Sequence, residues 1–151
     1  MIFVTVGTTD FDALVSRVDR LAPRLDRPVV MQIGAGHYVP RNAAEHFRFA
    51  PSLEPYFKRA SLVISHGGLG SLVEALRQGK RLVGVSNPER YDRHQEDLLG
   101  YLEEQGHLLW CRDLERLEDD LKRAGQMSFL AYPDPLCEIH NVINAYLSEQ
   151  A

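Results

Sequence analysis

The segment from residue 65 to residue 76 has the residue types and spacing of a phosphate-binding turn. It reads Ser-His-Gly-Gly-Leu-Gly-Ser-Leu-Val-Glu-Ala-Leu, and the apolar residues before it are typical of the end of a buried strand. Apolar residues recur at helical spacing after Ser71, so the glycines fall where a strand turns into a helix. Backbone N–H groups converge at such a turn, and the helix dipole is positive there. His66 and Glu74 flank the glycines, and the segment therefore predicts a ligand that contains phosphate.

A second glycine turn, residues 7–10, follows the first apolar segment of the chain and reads Gly-Thr-Thr-Asp. In a parallel sheet of strand order 3-2-1-4-5-6, the first and fourth strands are neighbours at the point where the order reverses. Both glycine turns would then face one crevice outside the carboxyl ends of the strands. Tight packing is the alternative role for the glycine of this turn.

A third polar segment, residues 87–95, follows the fifth predicted strand and opens a helix. It reads Asn-Pro-Glu-Arg-Tyr-Asp-Arg-His-Gln. Side chains of this kind at the border of the same crevice can recognise sugar hydroxyls through hydrogen bonds. A solvated loop before a helix is the alternative interpretation.

Several common nucleotide and hydrolase motifs are absent from the sequence. No G-x-G-x-x-G follows the first strand, and the chain contains neither a G-x-x-x-x-G-K-[ST] loop nor a G-x-S-x-G elbow. These absences argue against a dinucleotide fingerprint, P-loop chemistry and a serine hydrolase.

The sequence predicts no protein metal site. Residues 10–12, Asp-Phe-Asp, match the short D-x-D pattern of metal-dependent sugar transferases, but they open a helix, where carboxylates are favoured as caps. The six histidines and the two cysteines, Cys111 and Cys137, lack the spacing of metal ligands. We expect both cysteines to be unreactive thiols in a reducing compartment.

Length and composition predict a single globular domain over residues 1–151. The chain is 44% hydrophobic and 25% charged, with a net charge of −4, and it has no basic patch interleaved with aromatic residues. This balance argues against a nucleic-acid partner. No apolar run approaches the roughly 20 residues needed to cross a bilayer, and the first residues lack the basic flank of a signal peptide. We therefore expect a cytoplasmic location.

Four arginines recur at near-helical spacing in the first predicted helix and just beyond it: Arg17, Arg20, Arg24 and Arg27. A solvated helix face is the favoured interpretation. Attraction to an anionic membrane surface is the alternative.

Short apolar strands alternate with helices along the whole chain. The predicted strands cover residues 2–6, 29–33, 47–49, 62–65, 82–85 and 108–111. The predicted helices cover residues 11–25, with a kink at Pro23, and residues 51–60, 71–78, 92–105, 114–124 and 136–147. Fully apolar strands separated by helices predict an α/β fold with a doubly wound, parallel, Rossmann-like sheet of about six strands and helices on both faces.

The pattern His66-x-Gly68-x-x-Ser71-x-x-Glu74 resembles the donor-binding box of UDP-sugar transferases. The chain is similar to the C-terminal, donor-binding half of GT-B glycosyltransferases, of the glycosyltransferase family 28 C-terminal type. Within that family it resembles the small catalytic subunits of two-part enzymes that act on dolichol-linked sugars, and their bacterial exopolysaccharide counterparts. The segments that match are residues 1–9, 49–53, 62–68 and 87–95.

The resemblance implies a role for each residue of the three polar segments. His66 and the N–H groups around Gly67, Gly68 and Gly70 would hold the diphosphate, with Ser71 adding a hydroxyl. Glu74 would accept hydrogen bonds from the ribose, and the backbone at Phe49 and Ala50 would meet the uracil. Gln95, with His94 and Asn87, would recognise the donor sugar, and Gly7, Thr8 and Thr9 would line the opposite side. His66 and Gln95 are the implied catalytic residues.

The resemblance also implies an inverting, metal-independent transfer that releases UDP. The general base is expected on a membrane-anchored partner subunit that binds a lipid-linked saccharide acceptor and recruits this chain to the cytoplasmic face of the membrane. The last predicted helix, residues 136–147, would either dock that partner or pack on its own sheet. A non-catalytic module that binds nucleotide sugars and an unrelated small nucleotide-binding protein are the alternatives.

Overall fold

A computed structural model describes residues 1–88 and 94–133, which contain one six-stranded parallel sheet. The strands are β1 (Ile2–Thr5), β2 (Val29–Gln32), β3 (Glu45–Phe47), β4 (Leu62–His66), β5 (Arg81–Val85) and β6 (Leu109–Cys111). Their order is β3-β2-β1-β4-β5-β6, and every neighbouring pair is parallel. The predicted strand order is confirmed, and β1 and β4 meet at the reversal point.

Helices cover both faces of the sheet. They are α1 (Asp12–Leu21), α2 (Glu54–Arg59), α3 (Leu69–Arg77), α4 (His94–Glu104) and α5 (Leu117–Gln126). Side chains of α1 and α5 form one apolar cluster with half of the strand residues, and those of α2, α3 and α4 form a second cluster with the other half. Alternate residues of β1 show this division, since Val4 belongs to the first cluster and Phe3 to the second. The doubly wound architecture is therefore confirmed.

Several predicted boundaries are wrong, among them the start of the second helix, which is Glu54 instead of residue 51. The third strand covers residues 45–47, and its first two residues are exposed and polar, so it lacks the apolar signal of the inner strands. The first helix ends at Leu21, and Pro23 lies in a short 3₁₀ turn, because proline has no N–H to continue the α-helical bonds. The third helix begins at Leu69, two residues before the predicted start. The predicted helix at residues 136–147 lies outside the described residues.

Two of the four arginines predicted as a solvated face, Arg17 and Arg24, make defined contacts with residues 114–118. Arg17 donates to the carbonyl oxygens of Leu114 and Glu115 at 2.9 and 2.7 Å. Arg24 forms an ion pair of 2.9 Å with Glu118 at the start of α5. Arg20, Arg24 and Arg27 are exposed, so the interpretation as a solvated face is confirmed for these three. It is wrong for Arg17, whose side chain is only 16% exposed.

Two loop segments are fixed by carboxylates of α1, the buried Asp19 and the partly exposed Asp12. Asp19 on α1 accepts hydrogen bonds from the Tyr38 hydroxyl and from the backbone N–H groups of residues 41–43, at 2.8–3.1 Å. Asp12 accepts from the N–H groups of residues 37 and 38. The long connection between β2 and β3 is thereby tied to α1.

Cys111 is buried at the end of β6. Burial, together with the neighbouring Asp120 carboxylate, raises the pKa of its thiol to about 12. Burial and the raised pKa support the prediction of an unreactive thiol for this residue, and Cys137 lies outside the described residues. Among the described residues, no helix combines the length and apolar character that a membrane span requires.

Candidate functional site

A cleft of about 430 Å³ opens at the carboxyl ends of β1, β2 and β4, at the reversal point of the sheet. Its wall residues come from the two glycine turns, the segment after β3 and the first turn of α3. They are Gly7, Thr8, Gln32, Phe49, Ala50, Leu53, His66, Gly68, Leu69, Gly70, Ser71 and Glu74. The structure therefore brings nine of the fourteen predicted site residues into one cleft.

His66 lies between the two glycine turns, with only 6% of its surface exposed. A Cβ atom added to Gly7 would lie 2.8 Å from His66 Cε1, and one added to Gly68 would lie 2.2 Å from His66 Nε2. Neither position tolerates a side chain while the ring keeps this place, and Gly7 also has a positive φ of 63°. Both glycines are thus explained by the imidazole that they enclose.

The first turn of α3 has the arrangement of backbone N–H groups on which the predicted anion site depends. Gly68 is its N-cap residue and supplies no side chain to cap the helix, so the following N–H groups lack intrahelical partners. Leu69, Gly70 and Ser71 carry those groups, and all three line the cleft. Among the described residues, no atom lies within 4 Å of a Cβ built on Gly70. N–H donors without a partner in that part of the chain, the positive end of the helix dipole and open space meet at this point.

Glu74 lies one turn further along α3, on the same wall. Burial, together with the negative charge of Glu54, raises the pKa of its carboxyl group above 4.5. The fold thus places a partly desolvated acceptor about one helical turn from the donors of the first turn.

Gln32, the last residue of β2, forms the floor of the cleft. Its side-chain amide donates to the carbonyl oxygens of Gly7 and Arg48 at 2.6 and 2.7 Å, and its Oε1 accepts from the Thr5 hydroxyl at 2.6 Å. Sequence reasoning missed this residue. The available signal was a single amide at the end of an otherwise apolar strand.

The rim of the cleft is apolar on two sides. Phe49 and Leu69 are 59% and 60% exposed, and Leu53 lies below them. Leu53 and Leu69 were not predicted as site residues, because apolar residues near helix starts normally belong to the core.

Five predicted site residues do not line this cleft. The Thr9 hydroxyl donates to the Val6 carbonyl at 2.9 Å. The other four are Gly67, Asn87, His94 and Gln95. Gly67 faces the start of α4, where His94 and Gln95 lie, and Asn87 contacts Gln95.

Gln95 packs directly against Gly67, where an added Cβ would lie 2.7 Å from Gln95 Cβ. Its Oε1 accepts from the Asn87 N–H at 3.1 Å, and the Asn87 side-chain amide donates to the Asp10 carbonyl at 3.3 Å. These residues join the first turn to α4, beside the cleft, while His94 is exposed at the start of α4. Residues 89–93 of the third polar segment lie outside the described residues.

The prediction that the residue 10–12 carboxylates cap α1 is wrong. Phe11 is the N-cap residue and no side chain caps the helix. The Asp12 carboxylate instead binds the backbone N–H groups of residues 37 and 38, as described above. Within residues 1–88 and 94–133, no group of three or more His, Cys, Asp or Glu side chains is placed to hold a metal ion.

The chain has relatives of known family. A family model described as the glycosyltransferase family 28 C-terminal domain matches residues 1–135. A Mus musculus protein named UDP-N-acetylglucosamine transferase subunit ALG13 is 40% identical in an alignment of 121 positions that covers 72% of this chain and 10% of that protein. The Yarrowia lipolytica protein of the same name is 37% identical over 91 residues, which are 59% of this chain and 46% of that protein. The chain thus spans about a tenth of the mouse relative and less than half of the yeast one.

Solved structures share the fold. The solution structure of ALG13 matches 87% of this chain and 88% of its own length, with a TM-score of 0.63 and 22% identity. The crystal structure of Acinetobacter baumannii MurG matches 83% of this chain and 42% of its own length, with a TM-score of 0.64 and 21% identity. Since the family model covers most of its length, the chain belongs to the glycosyltransferase family 28 C-terminal domain family.

Proposed function

We propose that this chain is the catalytic, donor-binding subunit of an inverting UDP-sugar glycosyltransferase. It acts with a membrane-anchored partner subunit on a lipid-linked saccharide, at the cytoplasmic face of a membrane, in polysaccharide or glycolipid synthesis. Family membership and the names of the relatives, which are UDP-N-acetylglucosamine transferase subunits, support the donor class. The observation that carries the proposal is the open first turn of α3 beside Glu74, in one cleft at the reversal point of the sheet.

The cleft accommodates the parts of UDP in a linear order. The diphosphate binds the N–H groups of residues 69–71, where the helix dipole and the absence of a side chain on Gly70 favour an anion. The ribose hydroxyls donate to Glu74, and the uracil lies against the backbone at Phe49 and Ala50. This order follows α3 from its start and then crosses to the segment after β3.

The reaction breaks the bond between the anomeric carbon and the β-phosphate oxygen. An acceptor hydroxyl oxygen attacks the anomeric carbon in line, its proton passes to a general base, and UDP leaves with the bonding electron pair. Negative charge grows on the β-phosphate during this step. Donors fixed at a helix start can stabilise that charge, and removal of one such donor typically costs about 10²–10³ in rate. We propose that this chain needs no metal ion for the step.

His66 is well placed to assist the departure of UDP. Its ring is held between both glycine turns and lines the cleft beside the first turn of α3. A protonated or donating imidazole at this point adds a hydrogen bond to the leaving diphosphate. With His66 and Glu74 assigned to the donor, we place the general base on the partner subunit, together with the acceptor.

A thermal-shift panel tests the donor class directly. A ligand at a hundredfold excess over its Kd stabilises the native state by about 2.7 kcal/mol. UDP should raise the Tm more than ADP or NAD, with or without magnesium, and UDP-glucose, UDP-galactose, UDP-N-acetylglucosamine and UDP-glucuronate then rank the sugars. Equal shifts with UDP, ADP and NAD would contradict the proposal.

A transfer assay tests the catalytic role. The chain is assayed with its partner and a lipid-linked acceptor, and the His66→Ala variant serves as the comparison. UDP binding without transfer in the complete complex would instead identify a non-catalytic nucleotide-sugar-binding module.

A further inference from the structure

Gln32 connects the two opposite walls of the cleft through a single side chain. Its Nε2 atom donates one hydrogen bond to the Gly7 carbonyl, in the turn after β1, and one to the Arg48 carbonyl, just beyond β3. The bonds measure 2.6 and 2.7 Å, and the residue is 2% exposed. Both N–H donors of the amide are therefore used, one for each wall.

The orientation of this amide is fixed by its third contact. Gln32 Oε1 accepts from the Thr5 hydroxyl at 2.6 Å, and the Thr5 hydroxyl oxygen in turn accepts from the Gly7 N–H at 3.2 Å. A rotation of the amide by 180° would place Oε1 against two carbonyl oxygens, which cannot donate. Only an amide supplies two donors and one acceptor in this arrangement.

The two carbonyl groups belong to peptide units whose N–H groups lie in the cleft wall. The Gly7 carbonyl shares a peptide plane with the Thr8 N–H, and the Arg48 carbonyl shares one with the Phe49 N–H. In a trans peptide the N–H points opposite to the C=O, and the described chain has no cis peptide bond. Within residues 1–88 and 94–133, neither N–H donates a hydrogen bond. Two unpaired donors, one on each wall, therefore point away from Gln32.

We propose that Gln32 is a positioning residue that sets the separation of the two walls and aims the Thr8 and Phe49 N–H groups at the bound nucleotide sugar. This inference rests on the proposed function, because it assigns a ligand to the same cleft. Residues 7 and 8 border the diphosphate side and residue 49 the base side. A buried amide thereby couples the two ends of the UDP-binding surface, beside the backbone hydrogen bonds from the Gly34 N–H to the Arg48 carbonyl and from the Ala35 N–H to the Thr9 carbonyl.

The first test uses the wild-type chain and needs no substitution. Amide resonances of Thr8 and Phe49 are followed by ¹⁵N NMR during a titration with UDP. Both should shift and gain protection from hydrogen exchange when UDP binds. UDP binding that leaves both amides unchanged would overturn the proposal, and a lack of UDP binding would instead contradict the proposed function.

The second test compares Gln32→Leu and Gln32→Glu with the wild type by calorimetric UDP titration. Gln32→Leu removes both wall contacts and should weaken binding at least tenfold at every pH. In Gln32→Glu, the introduced carboxyl group can donate to one carbonyl when it is neutral, whereas its ionised form faces two carbonyl oxygens. The penalty relative to the wild type should therefore grow as pH rises from 6 to 9.

The result of this test is the ratio of the variant Kd to the wild-type Kd, measured for both proteins at each pH. The charged and titratable groups near Gln32 are His66 beside Gly7, Glu74 across the cleft, and the Arg48 guanidinium, which donates to the carbonyls of residues 34 and 36. Because these groups are present in both proteins, the comparison with the wild type at the same pH isolates the effect of the substitution. A ratio for Gln32→Glu that stays constant with pH would contradict the assigned hydrogen bonds.

Leu121→Ala is the control for a general loss of stability. Leu121 belongs to the apolar cluster of α1 and α5 and does not line the cleft. The variant should melt at a lower temperature and bind UDP with the Kd of the wild type. A loss of binding in Leu121→Ala as large as that of Gln32→Leu would mean that Gln32 acts only through the stability of the fold.

Discussion

The substitution Gly70→Ala separates the stability of the fold from the binding of a diphosphate. Gly70 is the second residue of α3, and no atom lies within 4 Å of a Cβ built there. Cα–Cβ bonds in a helix tilt towards its N-terminus, so the added methyl group would stand beside the free N–H groups of the first turn. The protein without ligand has room for this methyl group. When a diphosphate is bound to the same N–H groups, the methyl group and the phosphate oxygens would compete for the same space.

Gly70→Ala should leave the stability of the fold unchanged or raise it, and should lower the affinity for UDP. Ala is favoured over Gly in helices by about 0.5–1 kcal/mol, and in a chain of this size 1 kcal/mol shifts the Tm by roughly 2–4 °C. The Tm of Gly70→Ala should therefore stay equal or rise by up to about 4 °C. A hydrogen bond to a charged group is worth about 1.5–3 kcal/mol, and 1.4 kcal/mol is a factor of ten. The loss of one phosphate contact should weaken UDP binding about 10- to 100-fold.

Gly125→Ala is the matched control. Gly125 also lies in a helix, also has no atom within 4 Å of an added Cβ, and does not line the cleft. Melting curves and calorimetric UDP titrations of both variants should show similar or higher Tm values, with a loss of affinity only for Gly70→Ala. Wild-type affinity in Gly70→Ala would refute the reasoning, because the phosphates could then not approach the start of α3.

Three further predictions concern single groups. Glu74→Gln should weaken UDP binding about tenfold in calorimetry, since the ribose loses a charged acceptor. It should also raise the Tm at pH 7, because burial and the Glu54 charge raise the pKa of Glu74 and thus disfavour its ionised form in the fold. A lower Tm in melting curves would contradict the assignment. Burial opposes the ionisation of Asp19, but hydrogen bonds from residues 41–43 outweigh it and hold its pKa below 3.8. The stabilisation of the fold by ionised Asp19 is therefore present above pH 3.8 and lost as pH falls through the lower folded-state pKa. Asp19→Asn should lower the free energy of unfolding, measured by urea denaturation, by about 2–4 kcal/mol at pH 7 and by progressively less in acid. A difference between variant and wild type that is the same at low pH would exclude this linkage. Because the pKa of Cys111 is raised to about 12, the native chain should resist alkylation at this residue at pH 8 and should react only after unfolding. Peptide mass spectrometry measures the labelling. Rapid labelling of the native protein would show that the thiol is accessible.

The topology could be predicted from the sequence because its signals are local. Short apolar segments alternate with helical patterns, and a parallel sheet covered on both faces is the arrangement that buries all of them. Two glycine turns after the first and fourth strands then define the reversal point. The third strand was misplaced because it lies at the sheet edge, where Glu45 and His46 are exposed and show no apolar signal.

The interior polar contacts could not be predicted, because their partners are distant in the chain. Gln32 binds carbonyls 25 and 16 residues away, and Asp19 binds N–H groups 22–24 residues away. Arg17 contacts carbonyls 97 and 98 residues away. An isolated polar residue in a strand or helix gives no indication of which distant backbone group will meet it, so only the folded arrangement identifies these contacts.

The glycines in and beside the cleft differ in what requires them, and this difference supports the proposed position of the diphosphate. Gly7 and Gly68 make room for the His66 ring, and Gly67 makes room for Gln95. Gly70 makes room for no protein atom. Open space alone is not informative, since Gly125 has it too. At Gly70, however, the space coincides with unpaired N–H groups, a positive helix end and the Glu74 carboxylate one turn away, and these are the groups that a nucleoside diphosphate requires.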